Sequence, residues 1–418
     1  MSAHAEALSS AAGGGPWLSI VGLGEDGRAG LSRDAAAALD RADLVVGGSR
    51  HLALVAPIAA AATLAWPSPM SEGYAAILAW RGRGRVCVLA TGDPFHYGVG
   101  ADLAALLAPD DWVCFPGVSA FSLAAARLGW SLPDCALVSV HGRALERVVP
   151  HLQPGARILA LSANGTTPAK LAALLVGRGF GGAVLTVLER MGGPAERVRR
   201  APADGFALDG IDGLNTLAVE IPAAVGAARV VPLTAGLDDS WFDHDGQLTK
   251  AEIRALTLAA LAPRAGELLW DVGAGAGSVA IEWCLRHPGN RAVAIEARPD
   301  RAVRLESNAR ALGVADRIRA VEGRAPAALG GLPSPHAVFI GGGASDPDVV
   351  DAAWGALGGG GRLVINAVTL ETEAALAERH ARHGGAMRRI AVSRLVPVGG
   401  YHGWRPAMPV TQWAVVKP

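Results

Sequence analysis

Leu268-Leu269-Trp270-Asp271-Val272-Gly273-Ala274-Gly275-Ala276-Gly277-Ser278 is the stretch whose reading decides the fold. Its first half reads as a strand covered on both faces, because apolar residues run through it with little polar alternation. Three glycines at alternate positions then let the backbone turn tightly and approach a ligand closely. Val279-Ala280-Ile281-Glu282-Trp283-Cys284 continues as a helix. The first N–H groups of such a helix lack partners within it and suit an anionic or polar ligand. A second strand, 292–296, closes on Glu296, 19 positions after Gly277. A nucleotide-binding unit places a carboxylate about there to accept from ribose hydroxyls.

The dinucleotide fingerprint is G-x-G-x-x-G. Here the spacing is G-x-G-x-G, with Asp271 two residues before Gly273. An acid at that place suits a cationic methionine moiety better than a pyrophosphate. The pattern resembles motif I of the class I S-adenosylmethionine (SAM) methyltransferases. That resemblance implies SAM bound by Asp271, Gly273, Gly275, Gly277 and Glu296. The plainer alternative is a Rossmann turn without such a ligand, and the placing of Glu296 weighs against it.

At 418 residues the chain has room for two domains or more. Lys+Arg and Asp+Glu both number 38, a balance that argues against a nucleic-acid scaffold. A 51% hydrophobic composition with 54 glycines is that of an α/β enzyme punctuated by turns. Cys87, Cys114, Cys135 and Cys284 have no C-x-x-C spacing. They read as buried free thiols of a reducing compartment, so a cytoplasmic location is expected. No apolar run reaches the length of a membrane span. Residues 1–16 are small and low in complexity, and read as a disordered start and not a signal peptide. No metal site is expected.

In the first half, a strand at 17–21 leads into Gly22-Leu23-Gly24-Glu25-Asp26-Gly27. This matches G-x-G-x-x-G, yet the loop runs on to Gly30 before a helix begins, with Ser32 as its cap. The next strand ends in Gly47 and offers no ribose-binding acid. NAD is therefore rejected there. Further strands, at 86–90, 112–115 and 136–140, run into Thr91-Gly92-Asp93-Pro94-Phe95-His96-Tyr97-Gly98, Pro116-Gly117-Val118-Ser119-Ala120 and His141-Gly142-Arg143. All these loops follow carboxyl ends of strands, where an open α/β sheet binds ligands.

V-G-L-G before L-S and a helix, T-G-D-P-F-H-Y-G, and P-G-V-S-A together resemble the signature loops of the tetrapyrrole (corrin-type) methylases. The resemblance implies a two-lobed α/β fold with SAM in the cleft. It puts Gly22 and Gly24 near the substrate-side loop, makes Gly92, Asp93 and Pro94 the methionine-binding loop, and sets Ser119 beside the cofactor. Read from the residues alone, Asp93 on a tight loop can receive an ammonium; its alternative is a turn-initiating Asp. Glu25-Asp26 stands where the family often has Pro-Gly. The second lobe is expected from Pro133, with strands at 156–161, 182–190 and 214–221. Arg197, Arg199 and Arg200 read as a solvated strand face or, more sharply, as docking for substrate carboxylates.

The domain junction is placed near 225–237, giving a first domain over 17–228 and a second over 229–418. Thr249 is expected to cap a helix over 251–261, and Asn308 and Arg310 to face outward from a helix over 300–312. Strands at 318–322, 336–340 and 361–366 complete a doubly wound sheet, and residues from Ala391 begin a closing strand pair. Gly341-Gly342-Gly343 follows the fourth strand. It offers no polar side chain for a nitrogen nucleophile, so a carbon nucleophile on a flat substrate fits better.

L-T-K-A-E-I-R, D-V-G-A-G-A-G-S-V-A-I-E, E-G-R-A-P and F-I-G-G-G resemble the decarboxylating corrin methyltransferases that act at C15. The resemblance implies SAM contacts from Thr249 and Ala325 besides those above. Arg324 stands where an acid is common and His336 where Asp is common. Both motif sets on one chain, in this order, resemble the bifunctional corrin-ring methyltransferases. That implies two SAM molecules per chain, a tetrapyrrole substrate methylated at C5 and C15, loss of the C12 acetate carboxyl, and a homo-oligomer. No nucleic acid and no membrane partner are expected. The alternatives are an NAD(P)-dependent reductase of the same pathway and a non-catalytic SAM-binding scaffold. Asp238, His244, Asp245, Asn366, Tyr401 and His402 are candidates near the mouth of the second site, and none of them is assigned a catalytic role.

Overall fold

The computed structural model describes residues 15–58 and 62–418. The disordered start expected over 1–16 therefore lies outside the described residues as far as residue 14. The chain forms two compact units. Pro154–Ala228 belongs with the residues up to Gly142, and Arg143–Gln153 groups with Arg229–Pro418. The segment 143–153 thus departs from a first domain running unbroken to 228.

The first unit carries two sheets. Strands β1 (Leu18–Leu23), β2 (Leu44–Gly47), β3 (Ala62–Ala65), β4 (Val86–Thr91) and β5 (Trp112–Phe115) lie parallel in the order β3-β2-β4-β1-β5. Val21, Leu23, Val45 and Leu89 pack on one face, and Leu18, Ile20, Val46 and Val88 on the other. Helices cover both faces, which is why the strands read as unbroken apolar runs. β3 escaped the sequence reading because it is a short edge strand with mostly exposed side chains.

The second sheet holds β6 (Cys135–Ser139), β7 (Arg157–Leu161), β8 (Val184–Glu189), β9 (Arg197–Pro202) and β10 (Asn215–Glu220), in the order β6-β7-β10-β8-β9. Only β6 and β7 pair in parallel. The arginine cluster lies on edge strand β9. Arg197 and Arg199 both bind the buried carboxylate of Glu189, at 2.6 and 3.1 Å, and Arg200 binds Glu220 at 2.6 Å. Their guanidiniums hold the sheet edge together, and this corrects the sharper reading of them as a carboxylate dock.

The second unit is built on β11 (Leu268–Val272), β12 (Arg291–Glu296), β13 (Ile318–Glu322), β14 (Ala337–Ile340), β15 (Arg362–Ala367), β16 (Ala386–Ile390), a hairpin of β17 (Ser393–Val398) with β18 (Tyr401–Pro406), and β19 (Val410–Val416). The main sheet runs β13-β12-β11-β14-β15-β19-β16, with β19 antiparallel between β15 and β16. Strand order reverses between β11 and β14, the switch point at which such sheets bind ligands. The strand pair expected from Ala391 begins at Ser393 as β17 with β18, but the main sheet is closed by β19 with β16. The β17–β18 ribbon stands as a separate two-stranded sheet.

Two further corrections concern single residues. Lys250, not Thr249, is the N-cap of the helix Ala251–Leu261, and it makes no side-chain cap. Asn308 faces inward: its amide donates to the carbonyls of Asp243 and Ala276, at 2.9 and 3.0 Å, and its oxygen accepts from Asp243 N–H. The four cysteines are free; Cys87 and Cys284 are buried, Cys114 and Cys135 only partly so. Among the described residues no helix is long and apolar enough to cross a membrane.

One buried ion pair fixes the approach to the glycine turn. Arg254 Nε donates to Glu282 Oε1 at 2.5 Å, and both side chains are fully buried. Glu282 also accepts the N–H groups of Gly236 and Leu237, at 2.7 and 2.9 Å. Arg254 donates further to the carbonyls of Thr249 and Leu237. The pair thus ties two helices to the segment 236–249. Removing one member leaves the other charge buried without a counter-ion, which costs about 3–5 kcal/mol. Glu282→Ala is expected to lower the unfolding free energy of the second unit by about that much. Denaturant unfolding of the full chain checks this, and a loss within about 1 kcal/mol contradicts it.

Candidate functional site

In the first unit the three ligand-type loops meet as bare backbone. A methyl group on Gly22 would run into the carbonyl oxygen of Gly92 and the N–H of Gly117. Gly92 N–H donates to Leu23 at 2.9 Å, and Gly117 N–H to Gly92 at 3.1 Å. The carboxyl ends of β1, β4 and β5 are thereby sewn together. A small cavity opens here between the two sheets. Gly24 and Gly92 line it with Glu25, Arg50, Thr91 and Arg190. Gly22, Asp93, Pro94 and Ser119 are not among its lining residues.

Asp93 Oδ1 accepts Phe95 N–H at 2.9 Å, the bond of a turn-initiating Asp. Ser119 Oγ accepts Ser122 N–H at 3.1 Å and caps the helix Ala120–Leu128. Sequence reasoning missed the charged residues of this cavity. Glu25 takes an ion pair from Arg50, and a second from Arg190 at 3.1 Å; Arg190 also binds Asp212 at 2.7 Å. The only available signal was Glu25 itself, an acid where the family often has Pro. His51 sits behind Arg50, 2.8 Å from Thr91 Oγ1. Burial and the Arg50 charge push its pKa down to about 4, so the imidazole is neutral at physiological pH.

The second unit holds a cavity of about 700 Å³ at the switch point. Of the residues expected to bind SAM, Thr249, Asp271, Gly273, Gly275, Glu296 and Ala325 line it. Gly277 does not; it precedes the helix Ser278–Arg286 in the left-handed conformation. Gly273 has φ +74°, and a Cβ there would lie 2.9 Å from the N–H nitrogen of Gly342. The turn after β11 and the glycine run after β14 therefore touch as main chain. Glu296 accepts Gly275 N–H at 2.8 Å and Arg298 N–H at 2.9 Å. Each oxygen of a carboxylate takes two bonds, so accepting capacity remains for a ribose.

Asp271 is 1% exposed. Its Oδ2 accepts Ala280 N–H at 3.0 Å, while Oδ1 is buried without a partner. An orphaned acid oxygen lining a cavity is suited to an ammonium, and the bare glycine turn beside it gives a ligand room. These residues fit SAM. Of the mouth candidates, only Asn366 lines the cavity. Asp238 accepts Ser240 N–H at 2.9 Å, His244 accepts Gly246 N–H at 3.0 Å, and Asp245 binds Arg301 at 2.9 Å. Tyr401 and His402 lie exposed on the β17–β18 ribbon. His336 Nδ1 accepts Leu268 N–H at 3.0 Å, and Arg324 lines the cavity.

Comparison with known proteins bears on both units. Residues 18–207 match the family of tetrapyrrole (corrin/porphyrin) methylases, and residues 240–417 match the precorrin methyltransferase domain. A precorrin-6Y C(5,15)-methyltransferase [decarboxylating] of Sinorhizobium sp is 52% identical over 96% of this chain and 97% of its own length. The chain belongs to that family. A member from Mycobacterium tuberculosis (strain CDC 1551 / Oshkosh) is 42% identical over 95% of this chain and 99% of its own. A shorter relative, the cobalt-precorrin-7 C(5)-methyltransferase of Salmonella typhimurium, is 30% identical over 46% of this chain and 94% of its own. Family membership fits a SAM-dependent methyltransferase and not the reductase or scaffold alternatives.

Asp271 gives the unliganded site a pH signature. Burial pushes its pKa from 3.8 up to about 7 against the opposing Ala280 bond, and the Glu296 charge adds to the rise. An acid that holds its proton more tightly when folded contributes stability that is full below about pH 4. That contribution is lost as pH climbs towards about 7. Asp271→Asn is expected to flatten this part of the stability–pH curve of the unliganded chain. Denaturant midpoints across the window check it; equal slopes in variant and parent contradict it.

Proposed function

We propose that this chain transfers methyl groups from SAM to C5 and C15 of precorrin-6Y and releases the C12 acetate carboxyl as CO2, giving precorrin-8X on the route to cobalamin. The first unit would methylate C5. The second would methylate C15 and carry the decarboxylation. Each unit would hold its own SAM, two per chain. The observation that carries this reading is a pair of separately built glycine-lined cavities at parallel strand ends, in a chain of this family. The relative confined to C5 chemistry aligns with less than half of this chain, as a division of labour between the units requires.

SAM supplies an electrophilic methyl group. The protein's own residues have to bind, orient and exclude water. In the second unit, Glu296 accepts from ribose hydroxyls, Asp271 faces the methionine ammonium and the glycine turn leaves main chain against the ligand. Apolar Val368, Val392 and Val410 line the same cavity and keep water from the ring carbon. Placement of this kind lowers a barrier by about 7–11 kcal/mol in well-oriented systems. In the first unit Arg50 and Arg190, held on Glu25, stand ready for the acidic side chains of the substrate.

The test is to disable one turn at a time. Gly273→Ala is expected to abolish C15 methylation and CO2 release and to leave C5 methylation. Gly22→Ala is expected to do the reverse. Mass spectrometry of the products, with SAM calorimetry on the full chain, checks both. Loss of both methylations in either variant, or fewer than two SAM sites in the parent chain with substrate present, sinks the proposal.

A homo-oligomer and a reducing, cytoplasmic setting complete the reading. Exposed Tyr401 and Trp404 on the β17–β18 ribbon, 83% and 72% accessible, offer apolar surface to a second copy. Trp404→Ser is expected to lower the sedimenting mass of the chain. A parent chain that sediments as a monomer contradicts this part.

A further inference from the structure

The decarboxylation has no residue assigned to it, and the buried polar groups of the second unit supply one. β14 and β15 run in register as far as Ile340 opposite Ile365. Asn366 is the next residue along, level with Gly341. The glycines at 341–343 bring no side chain to this edge, so β15 delivers a polar one that lines the cavity among Val368, Ile390, Val392 and Val410.

The amide of Asn366 is held from behind. Its Nδ2 donates to Thr257 Oγ1 at 2.9 Å, and its Oδ1 accepts from Gln412 Nε2 at 3.1 Å. Thr257 in turn gives its hydroxyl proton to the Ile253 carbonyl at 2.8 Å. With that proton committed, the hydroxyl oxygen can only accept from Asn366, and the orientation of the amide is fixed. One Nδ2–H remains without a partner from this network. Thr257 and Gln412 are 0% and 1% exposed, and Gln412 Oε1 is buried without a partner. A polar cluster that is not fully satisfied lowers stability compared with an apolar core. Its presence here therefore calls for a role other than holding the fold.

We infer that Asn366 is a catalytic residue for decarboxylation: its amide N–H holds the acetate carboxylate that leaves, and Thr257 and Gln412 are its positioning residues. This rests on the reading that the second unit methylates C15. Methylation leaves the conjugated ring system with one more positive charge. The bond between the acetate methylene and its carboxylate then breaks, the electron pair moves into the ring and cancels that charge, and CO2 departs. The methylene afterwards takes a proton from water, and the hydroxide left behind removes the proton of a ring N–H, so the ring ends neutral.

The choice of a neutral donor follows from this electron flow. A guanidinium or ammonium on the carboxylate would stabilise the charge where it starts and oppose its movement into the ring. A single neutral N–H in apolar surroundings orients the group and leaves it poorly solvated. The cations Lys250 and Arg394 line the cavity too, paired with Asp239 at 3.3 Å and Glu252 at 2.5 Å. Their side chains are 39% and 46% exposed, which suits them to carboxylates that stay on the substrate.

The experiment supplies SAM and precorrin-6Y to the full chain. It reads, by mass spectrometry, the ratio of decarboxylated to carboxyl-retaining C15-methylated product. Asn366→Asp sets like charge against the leaving group and is expected to lower the ratio about tenfold or more. Asn366→Ala is expected to lower it as well, and Thr257→Val to lower it less. A ratio unchanged in both Asn366 variants overturns the inference. So does a parallel fall of methylation and CO2 release at constant ratio, which assigns Asn366 to folding or to SAM. A parent chain that methylates C5 but not C15 overturns instead the reading on which the inference rests.

Discussion

Main chain pressed against main chain at the carboxyl ends of parallel strands is the constraint on which both units depend. In the first, Gly22 meets Gly92 and Gly117; in the second, Gly273 meets Gly342. Such contacts leave no room for a side chain. They bring peptide N–H and C=O groups to the one edge of the sheet where successive loops converge. Everything else in each site is arranged round that closeness. Glu296 takes the Gly275 N–H and Asp271 takes the N–H of Ala280, so the turn after β11 is held by the two acids that also line the cavity.

The two cavities handle charge in different ways. In the second unit the acids are buried, and Asp271 keeps one oxygen unpaired. Its site is therefore poised for a positive group and is uneasy without one. In the first unit the acid is already spoken for. Glu25 is shared between Arg50 and Arg190, and the net character of the lining is cationic. An anionic macrocycle with acidic side chains is compatible with that lining. Asp93 and Ser119 each hold a local turn or helix start through one accepted N–H, and neither is among the residues that line this cavity.

Much of this was legible in the residues because glycine patterns report backbone demands directly. The strand–turn–helix at 268–286, the acid at the end of β12 and the loops after β1, β4 and β5 follow from local rules. What the sequence hid depends on partners far away in the chain. Asn308 looks like an outward polar residue on a helix, yet it is drawn inward by carbonyls 65 and 32 positions distant. Arg254 reads as a surface arginine until Glu282 is placed beside it. The arginines of β9 look free because Glu189, which neutralises two of them, lies on the neighbouring strand. Asn366 was legible only as a candidate. Its significance comes from Thr257 and Gln412, 109 and 46 residues away.

The placing of β19 has a consequence for how the molecule comes into being. Val410–Val416 is an inner strand, bonded to β15 on one side and β16 on the other. Synthesis therefore reaches β16 before the neighbour that joins it to the rest of the sheet exists. The sheets of the first unit are complete by Glu220 and can assemble while the ribosome is still working. In the second, β15 and β16 must wait with one edge uncovered until Val410–Val416 has emerged from the exit tunnel.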